Sequence, residues 1–339
     1  MTTIFVPQPI PPAALTALQA LGEVRLFPHV DRAITREEVL AGVEGADILF
    51  AIGGVPYDGE VFDRAGRPSL IAAMHVWPYY VDIPAATERG IPVSGIVDMG
   101  LQRTTAEFTV AMILGTAWRL PEADRFLRAG RWMQNQSEAF LGTRLYGKTL
   151  GIVGLGGVGT MVAGMMRAIG MSVLYTKRAR LSPAEELAIG AEYRGIEDLF
   201  RESDVVAVTT PLTAQTKGLV GAALLDLLKP EALLINTSRG AVLDEAALEE
   251  RLLTGRIRGA GLDVFAWEGK PDPGPGPRLK AAEHTVLTPH IGSAARETRE
   301  AMALRTVANI DAHLHQGRAI DLLNPEVFGE PPIDMERIG

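Results

Sequence analysis

The chain of 339 residues contains no cysteine. Disulfides, a thiol nucleophile and thiolate metal sites are therefore excluded, and a reducing, cytoplasmic setting is the expectation. A long hydrophobic run is missing too: the longest, around Phe108–Trp118, is about half of what a bilayer crossing requires. The amino terminus, MTTIFVPQP, has no basic segment and meets Pro7 too early for a secretory signal. Positive charge is in deficit, with 33 Lys and Arg against 41 Asp and Glu and a formal net charge of −8. That balance argues against nucleic-acid and anionic-membrane partners, which need clustered positive potential, but leaves room for a local basic pocket. Histidines number six. His313 and His315 sit two apart on a helical pattern and point in different directions. His29 and His284 have no acidic or histidine cluster beside them, so no metal site is expected.

What is present is a globular balance, 47% hydrophobic and 22% charged, with length enough for two ordinary domains. In the first hundred residues the apolar strands TIFV, EVRLF, ADILFAI, LIAAMHV and IPVSGI alternate with helical patterns in PPAALTALQALG, TREEVLAGV and DIPAATERG. Gly22 and Gly90 are placed to end two of those helices. Strand–helix alternation implies βαβ units and a parallel sheet. A longer helical stretch runs from about Thr104 to Trp118 and is broken by Pro121. Alternation then resumes, with strands near 150–155, 172–176, 204–209, 232–236, 258–264 and 284–288, the six of a doubly wound nucleotide domain. After Pro289 come one more helical pattern, about 294–315, and an extended tail ending near Phe328. That is too little for a separate domain, so it is predicted to pack back on the first half. The fold class expected is α/β with two doubly wound parallel-sheet domains. A Rossmann-type cofactor domain would span 101–290, and a discontinuous, flavodoxin-like substrate domain would combine 1–100 with 291–339. The stretch GKPDPGPGPR at 269–278 reads as a loop.

Within GIVGLGGVGT at 151–160, Gly154, Gly156 and Gly159 satisfy G-x-G-x-x-G between a strand and a helix, with Gly157 and Val158 at the helix start. Gly154 suits the tight turn, Gly156 lets a pyrophosphate approach the backbone, and Gly159 lets helix and strand pack closely. The helix start offers free N–H groups and a positive dipole end to that anion. After the second strand an acid would normally hold the ribose hydroxyls of NAD. Here Thr176, Lys177 and Arg178 stand in its place, with Arg180 behind. A hydroxyl and cations suit a 2′-phosphate, so NADP is the expected cofactor and NAD the alternative. The plainer alternative is that these basic side chains only face water.

Three further segments begin at the C-terminal ends of expected strands: INTSRGAVLDEAAL at 235–248, GAGLDVFAWE at 259–268 and VLTPHIGSAA at 286–295. They would bring Arg239, Glu268 and His290 above one crevice. Their types suit reduction of a 2-oxo acid: arginine clamps a carboxylate, histidine carries a proton, and a carboxylate orients the histidine. Taken singly, each is more often a solvated charge or a cap.

In this order and spacing, together with ATERGIPV, TAEFTVAMIL, RAGRW and LLNPEVF, these motifs make the whole chain resemble the D-isomer-specific 2-hydroxyacid dehydrogenases, a family that includes glyoxylate/hydroxypyruvate reductases. The resemblance implies an NAD(P)-dependent oxidoreductase converting small 2-oxo acids to D-2-hydroxy acids, active as a homodimer. It implies that Arg239 binds the substrate carboxylate and polarises the carbonyl, that His290 protonates the carbonyl oxygen, and that Glu268 pairs with His290 and favours its protonated form. Asp263 would contact the nicotinamide carboxamide, and Thr210, Pro211, Thr237 and Ser238 would line the cofactor. The helix over 104–120 looks too apolar for an exposed face, which fits the dimer. The family's substrate loop, rich in small residues, is replaced here by HVWPYYVD, His75–Asp82. Val76 and Trp77 then take the positions whose amides hold the substrate carboxylate, and the aromatic residues either change the pocket or pack into the core. A preference for a larger or more hydroxylated acid is the expectation from that departure. The other readings are a phosphoglycerate, formate or phosphite dehydrogenase using NAD, and a nucleotide-sensing, corepressor-like binding protein.

Overall fold

The computed structural model describes residues 1–97, 99–135, 138–266 and 274–333. The chain divides into two compact units, Met1–Gly100 with Ala294–Gly339, and Leu101–Ser293.

The first unit opens with β1 (Thr3–Val6), α1 (Pro12–Gln19), β2 (Glu23–Leu26), α2 (Arg36–Val43), β3 (Ile48–Ala51), α3 (Gly59–Ala65), β4 (Leu70–Ala73), α4 (Ile83–Glu88) and β5 (Val93–Ser94). Its strands pair in parallel in the order β2-β1-β3-β4-β5, the flavodoxin-like arrangement. β1, β3 and β4 are buried along their whole length, as continuous apolar runs covered on both faces must be. Helix starts are chemically marked. Thr35 and Glu38 form a reciprocal capping box at α2, and Asp58 and Asp82 accept N–H bonds at the starts of α3 and α4. The core joins Phe5, Leu49, Tyr57, Phe62, Ile71 and Val93 with Leu323 from the end of the chain.

The second unit holds α5 (Leu101–Ala117), α6 (Leu120–Arg128), β6 (Thr149–Val153), α7 (Gly157–Ala168), β7 (Ser172–Thr176), α8 (Pro183–Ile189), β8 (Glu192–Tyr193), α9 (Ile196–Glu202), β9 (Val205–Val208), α10 (Ala222–Leu225), β10 (Leu233–Asn236), α11 (Glu245–Leu253), β11 (Gly259–Leu262), α12 (Pro277–Ala281) and β12 (Thr285–Leu287). The sheet is parallel throughout, in the order β12-β11-β10-β9-β6-β7-β8. This is the doubly wound Rossmann order, and its direction reverses between β6 and β9. Two parallel α/β sheets are what the alternating pattern called for. The seventh strand, β8, goes beyond the six expected, because two residues with exposed or half-buried side chains leave no apolar run to read. Pro121 does more than end α5: it lies at the second position of α6, where its missing N–H costs nothing.

The last long helix, α13 (Arg296–Gln316), belongs to the first unit together with the tail. That tail closes the edge of the five-stranded sheet. Leu323 N–H donates to Val93 O at 2.7 Å, and Gly95 N–H to Asp321 O at 2.9 Å. The buried side chain of Asn324 accepts the Val93 N–H at 2.7 Å and donates to Ile91 O at 2.9 Å.

Much of the apolar character of α5 is used inside its own unit. Ala106, Thr109, Met112, Ile113, Thr116 and Ala117 are buried within its own unit, where a β-carbon added at Gly261 of β11 would lie 2.7 Å from Thr116 Oγ1. Its apolar surface is therefore largely explained by the sheet beneath it. The exposed apolar side chains lie at its end and beyond, at Trp118, Leu120, Leu127, Trp132, Met133, Leu141 and Tyr146. No helix among the described residues is long and apolar enough to cross a membrane.

Candidate functional site

Parallel strands all end on one edge, and in the second unit that edge collects the segments singled out in the sequence. β6 leads into the glycine turn. Gly154 has φ +98°, and a β-carbon there would lie 2.7 Å from the Thr210 backbone. A β-carbon at Gly159 would lie 2.5 Å from Gly154 O, which ties the first turn of α7 to the end of β6. Gly156 is the N-cap of α7, no side chain caps that helix, and the space where its β-carbon would stand is open within 4 Å. The turn is thus closed on its protein side and open outward, with the orphan N–H groups of a twelve-residue helix facing the opening. That combination fits a dinucleotide pyrophosphate. Gln102, at the start of α5, was not singled out in the sequence, yet its Oε1 would lie 1.6 Å from a β-carbon at Gly157. No short-range pattern points to it.

The neighbouring strand β7 ends at half-buried Thr176, whose carbonyl accepts the Gly154 N–H at 2.9 Å. Lys177 reaches back to Leu155 O at 3.3 Å. Arg178 is exposed and forms no hydrogen bond or ion pair among the described residues. Arg180 is committed elsewhere: it grips Glu186 at 2.8 and 3.0 Å and stacks over Tyr193 at 5.4 Å. Together with the Tyr175 hydroxyl it holds the Glu186 carboxyl below the ordinary carboxylate range. The basic set near the β7 end therefore reduces to Lys177 and Arg178 beside the Thr176 hydroxyl. On the other side of β6, after β9, Thr209 Oγ1 donates to Gly154 O at 2.7 Å, followed by half-buried Thr210 and exposed Pro211.

After β10 the backbone is shaped by Asn236, which is fully buried. Its Oδ1 accepts from Ser238 N–H at 3.1 Å and Ser238 Oγ at 2.9 Å, while Nδ2 donates to Arg239 O at 3.2 Å. This Asx turn presents Arg239, which is half-buried and donates to Ser238 O at 2.8 Å. Asn236 also escaped the sequence reading. An Asn directly after an apolar strand and before Thr-Ser was the signal available. Thr237 is buried and bonded to Thr109 of α5 at 2.7 Å, and Ser238 is spent on Asn236, so both side chains shape the loop. Gly240 lets the Phe265–Ala266 backbone approach, since a β-carbon there would lie 1.9 Å from Phe265 C.

Asp263, after β11, is 1% exposed. Its Oδ1 accepts from Thr288 Oγ1 at 2.6 Å and Ile291 N–H at 2.9 Å, and its Oδ2 accepts from Gly292 N–H at 2.8 Å. Its carbonyl accepts the His290 N–H at 2.8 Å. Through these bonds the carboxylate holds the loop after β12. That loop carries half-buried His290 at φ +53°, a conformation a non-glycine residue keeps only when its surroundings impose it. Glu268, expected to pair with His290, lies outside the described residues. Among the described residues no group of three or more metal-ligating side chains is found.

In the first unit, the loop after β4 braces Val76 and Trp77. Trp77 is half-buried and packs against the core, Tyr80 is buried with its hydroxyl on Ala51 O at 3.2 Å, and Tyr79 is exposed. The aromatic residues thus divide: Trp77 and Tyr80 serve packing, and Tyr79 alone is turned outward.

A family model for the D-isomer specific 2-hydroxyacid dehydrogenase, NAD binding domain, matches residues 110–292. Glyoxylate reductase from Thermococcus kodakarensis is 40% identical over 328 residues, covering 96% of each chain. A crystal structure of a Thermus thermophilus protein superposes with a TM-score of 0.84 at 38% identity, covering 95% of this chain and 100% of that one. An NADPH-dependent glyoxylate/hydroxypyruvate reductase from Sinorhizobium meliloti, solved with NADP and malonate, superposes with a TM-score of 0.77 at 30% identity, covering 98% and 99%.

Proposed function

Because the chain belongs to the D-isomer specific 2-hydroxyacid dehydrogenase family, and so is an NAD(P)-dependent oxidoreductase, we propose that it reduces small 2-oxo acids of the glyoxylate and hydroxypyruvate kind to D-2-hydroxy acids with NADPH. One observation carries the reading. On the same strand-end edge, the open glycine turn stands beside Thr176, Lys177 and Arg178, while Arg239 and His290 are each presented by a loop that a buried side chain has fixed. The relatives named as glyoxylate reductases support the substrate class.

The residues act as follows. The α7 N-terminus and the Gly154–Gly159 turn hold the pyrophosphate, and Thr176, Lys177 and Arg178 hold the 2′-phosphate. Val76 and Trp77 offer backbone N–H groups to the acid's carboxylate. The Arg239 guanidinium pairs with that carboxylate and draws electron density from the carbonyl. When bound, the nicotinamide supplies hydride to the carbonyl carbon. His290 gives a proton to the carbonyl oxygen, and Glu268 orients the imidazole and favours its charged form. Asp263 keeps His290 in place.

The test is a spectrophotometric assay of the purified protein with NADPH and NADH against glyoxylate, hydroxypyruvate and a panel of other 2-oxo acids. Turnover with NADPH, lost in His290→Ala, is expected. A preference for NADH would overturn the cofactor assignment, and absence of turnover with every 2-oxo acid would overturn the activity.

A further inference from the structure

The Trp77 amide, one of the two donors assigned above to the substrate carboxylate, already has a partner: it donates to Nδ1 of His75 at 3.1 Å. An imidazole that accepts at Nδ1 is neutral and carries its proton on Nε2. The bond links residue i to i+2, the span of an Asx turn, and so closes a small ring at the head of the loop.

The loop cannot easily turn this amide elsewhere. Tyr79 N–H donates to Trp77 O at 3.1 Å, Val81 N–H to Pro78 O at 3.0 Å, and Tyr57 N–H to Tyr80 O at 2.8 Å. From the side of β5, Ile96 N–H donates to His75 O at 3.1 Å, and a β-carbon at Gly95 would lie 2.9 Å from both His75 O and Val76 O. The backbone is therefore pinned before and after the amide, so an acceptor competing for it must displace the imidazole and not redirect the amide. Its ring meets the edges of Tyr79 and Tyr80 at 5.7 and 6.1 Å, nearly perpendicular to both.

We propose that His75 is an internal competitor for the substrate's carboxylate: its Nδ1 occupies the Trp77 N–H in the absence of the acid, and a bound carboxylate must displace it. The inference rests on the assignment of Val76 and Trp77 as carboxylate donors. His75 is thus a positioning residue that trades affinity for a preformed loop. Breaking one neutral hydrogen bond weakens acid binding by about three- to tenfold.

The experiment compares wild type, His75→Ala and His75→Asn in two measurements: steady-state kinetics with NADPH and glyoxylate, and oxamate binding by calorimetry in the presence of NADPH. The alanine variant frees the amide, so the KM for glyoxylate and the Kd for oxamate should each fall about three- to tenfold, with kcat and the KM for NADPH unchanged. The asparagine variant offers Oδ1 to the same N–H and should stay near wild type, which a merely structural loss would not allow. An unchanged or raised KM in His75→Ala, or equal effects of the two variants, would overturn the proposal. Failure of the parent reading is distinguishable. A wild type that binds oxamate with this pattern but turns over no 2-oxo acid removes the proposed activity alone. Turnover without the pattern removes the competitor alone.

Discussion

Lys177, Arg178 and Arg180 are close in sequence, yet their fates differ. Arg180 is tied to Glu186 by two short bonds, whereas exposed Arg178 forms no bond or ion pair among the described residues. A guanidinium freed for a 2′-phosphate contributes a charge-assisted bond that exposure and salt weaken, so Arg178→Ala should raise the KM for NADPH about tenfold while leaving that for NADH nearly unchanged. Arg180→Ala should alter neither, and parallel cofactor titrations of the two variants check the contrast. Asp263 makes a sharper case. Its carboxylate accepts from Thr288, Ile291 and Gly292, and all three donors would face an amide's N–H₂ or its one oxygen in Asp263→Asn. At least one buried donor then loses its partner, at about 1–3 kcal/mol. Because the loop it holds carries His290 at positive φ, kcat should fall at least tenfold while the KM for NADPH stays within about twofold. A variant altered mainly in its affinity for NADPH would instead place Asp263 at the cofactor. Residue types at the strand ends were readable because each belongs to a contiguous motif. The inward turn of Asp263 was not, because its partners lie 25 to 29 residues away.

Elements were legible in proportion to their apolar content. β1, β3, β4, β6, β9 and β10 are buried runs, and each was anticipated at its place. Edge strand β8 and helix α3 were not, the first because it is two residues long and the second because GEVFDRA is short and mostly polar. β5 is also only two residues, and what holds it is not its own pattern but the returning tail. Asn324 satisfies the Val93 N–H and the Ile91 carbonyl, and also donates to the Thr87 hydroxyl at 2.9 Å. Replacing it with alanine leaves two buried backbone groups unpaired, so Asn324→Ala should destabilise the first unit by about 2–4 kcal/mol. Hydrogen exchange should show the loss in residues 87–96 and 321–324, while the sheet of the second unit keeps its protection. Uniform loosening of both sheets would contradict a local clasp.

At the scale of the whole molecule, the two parallel sheets and their strand orders follow from alternation and from right-handed crossovers, so the fold class could be read in advance. What alternation could not supply was a surface through which the chain could meet a second copy. The apolar character of α5 suggested such a surface, and α5 buries part of it within its own unit while Phe108, Val110 and Leu114 stay half-buried. The uncovered side chains, Trp118, Leu120, Leu127, Trp132, Met133, Leu141 and Tyr146, follow it in the chain, and α6 buries none of its residues. Burying a large apolar side chain gains about 1.5–3 kcal/mol, so a few of these paired across a two-fold axis would hold a homodimer. Each copy carries a formal charge of −8, so like-charge repulsion opposes what the apolar contacts favour. Salt screens the repulsion and leaves the apolar term intact or strengthened. The dimer proposed here should therefore tighten as salt rises from about 20 mM to 0.5 M, the reverse of a salt-bridged interface. Sedimentation velocity across that range measures it. Leu127→Glu combined with Met133→Glu should give monomers at concentrations where the wild type is dimeric, without lowering the melting temperature of the individual units. A double variant that remains dimeric, or a wild-type dimer that loosens with salt, would place the contact on another face.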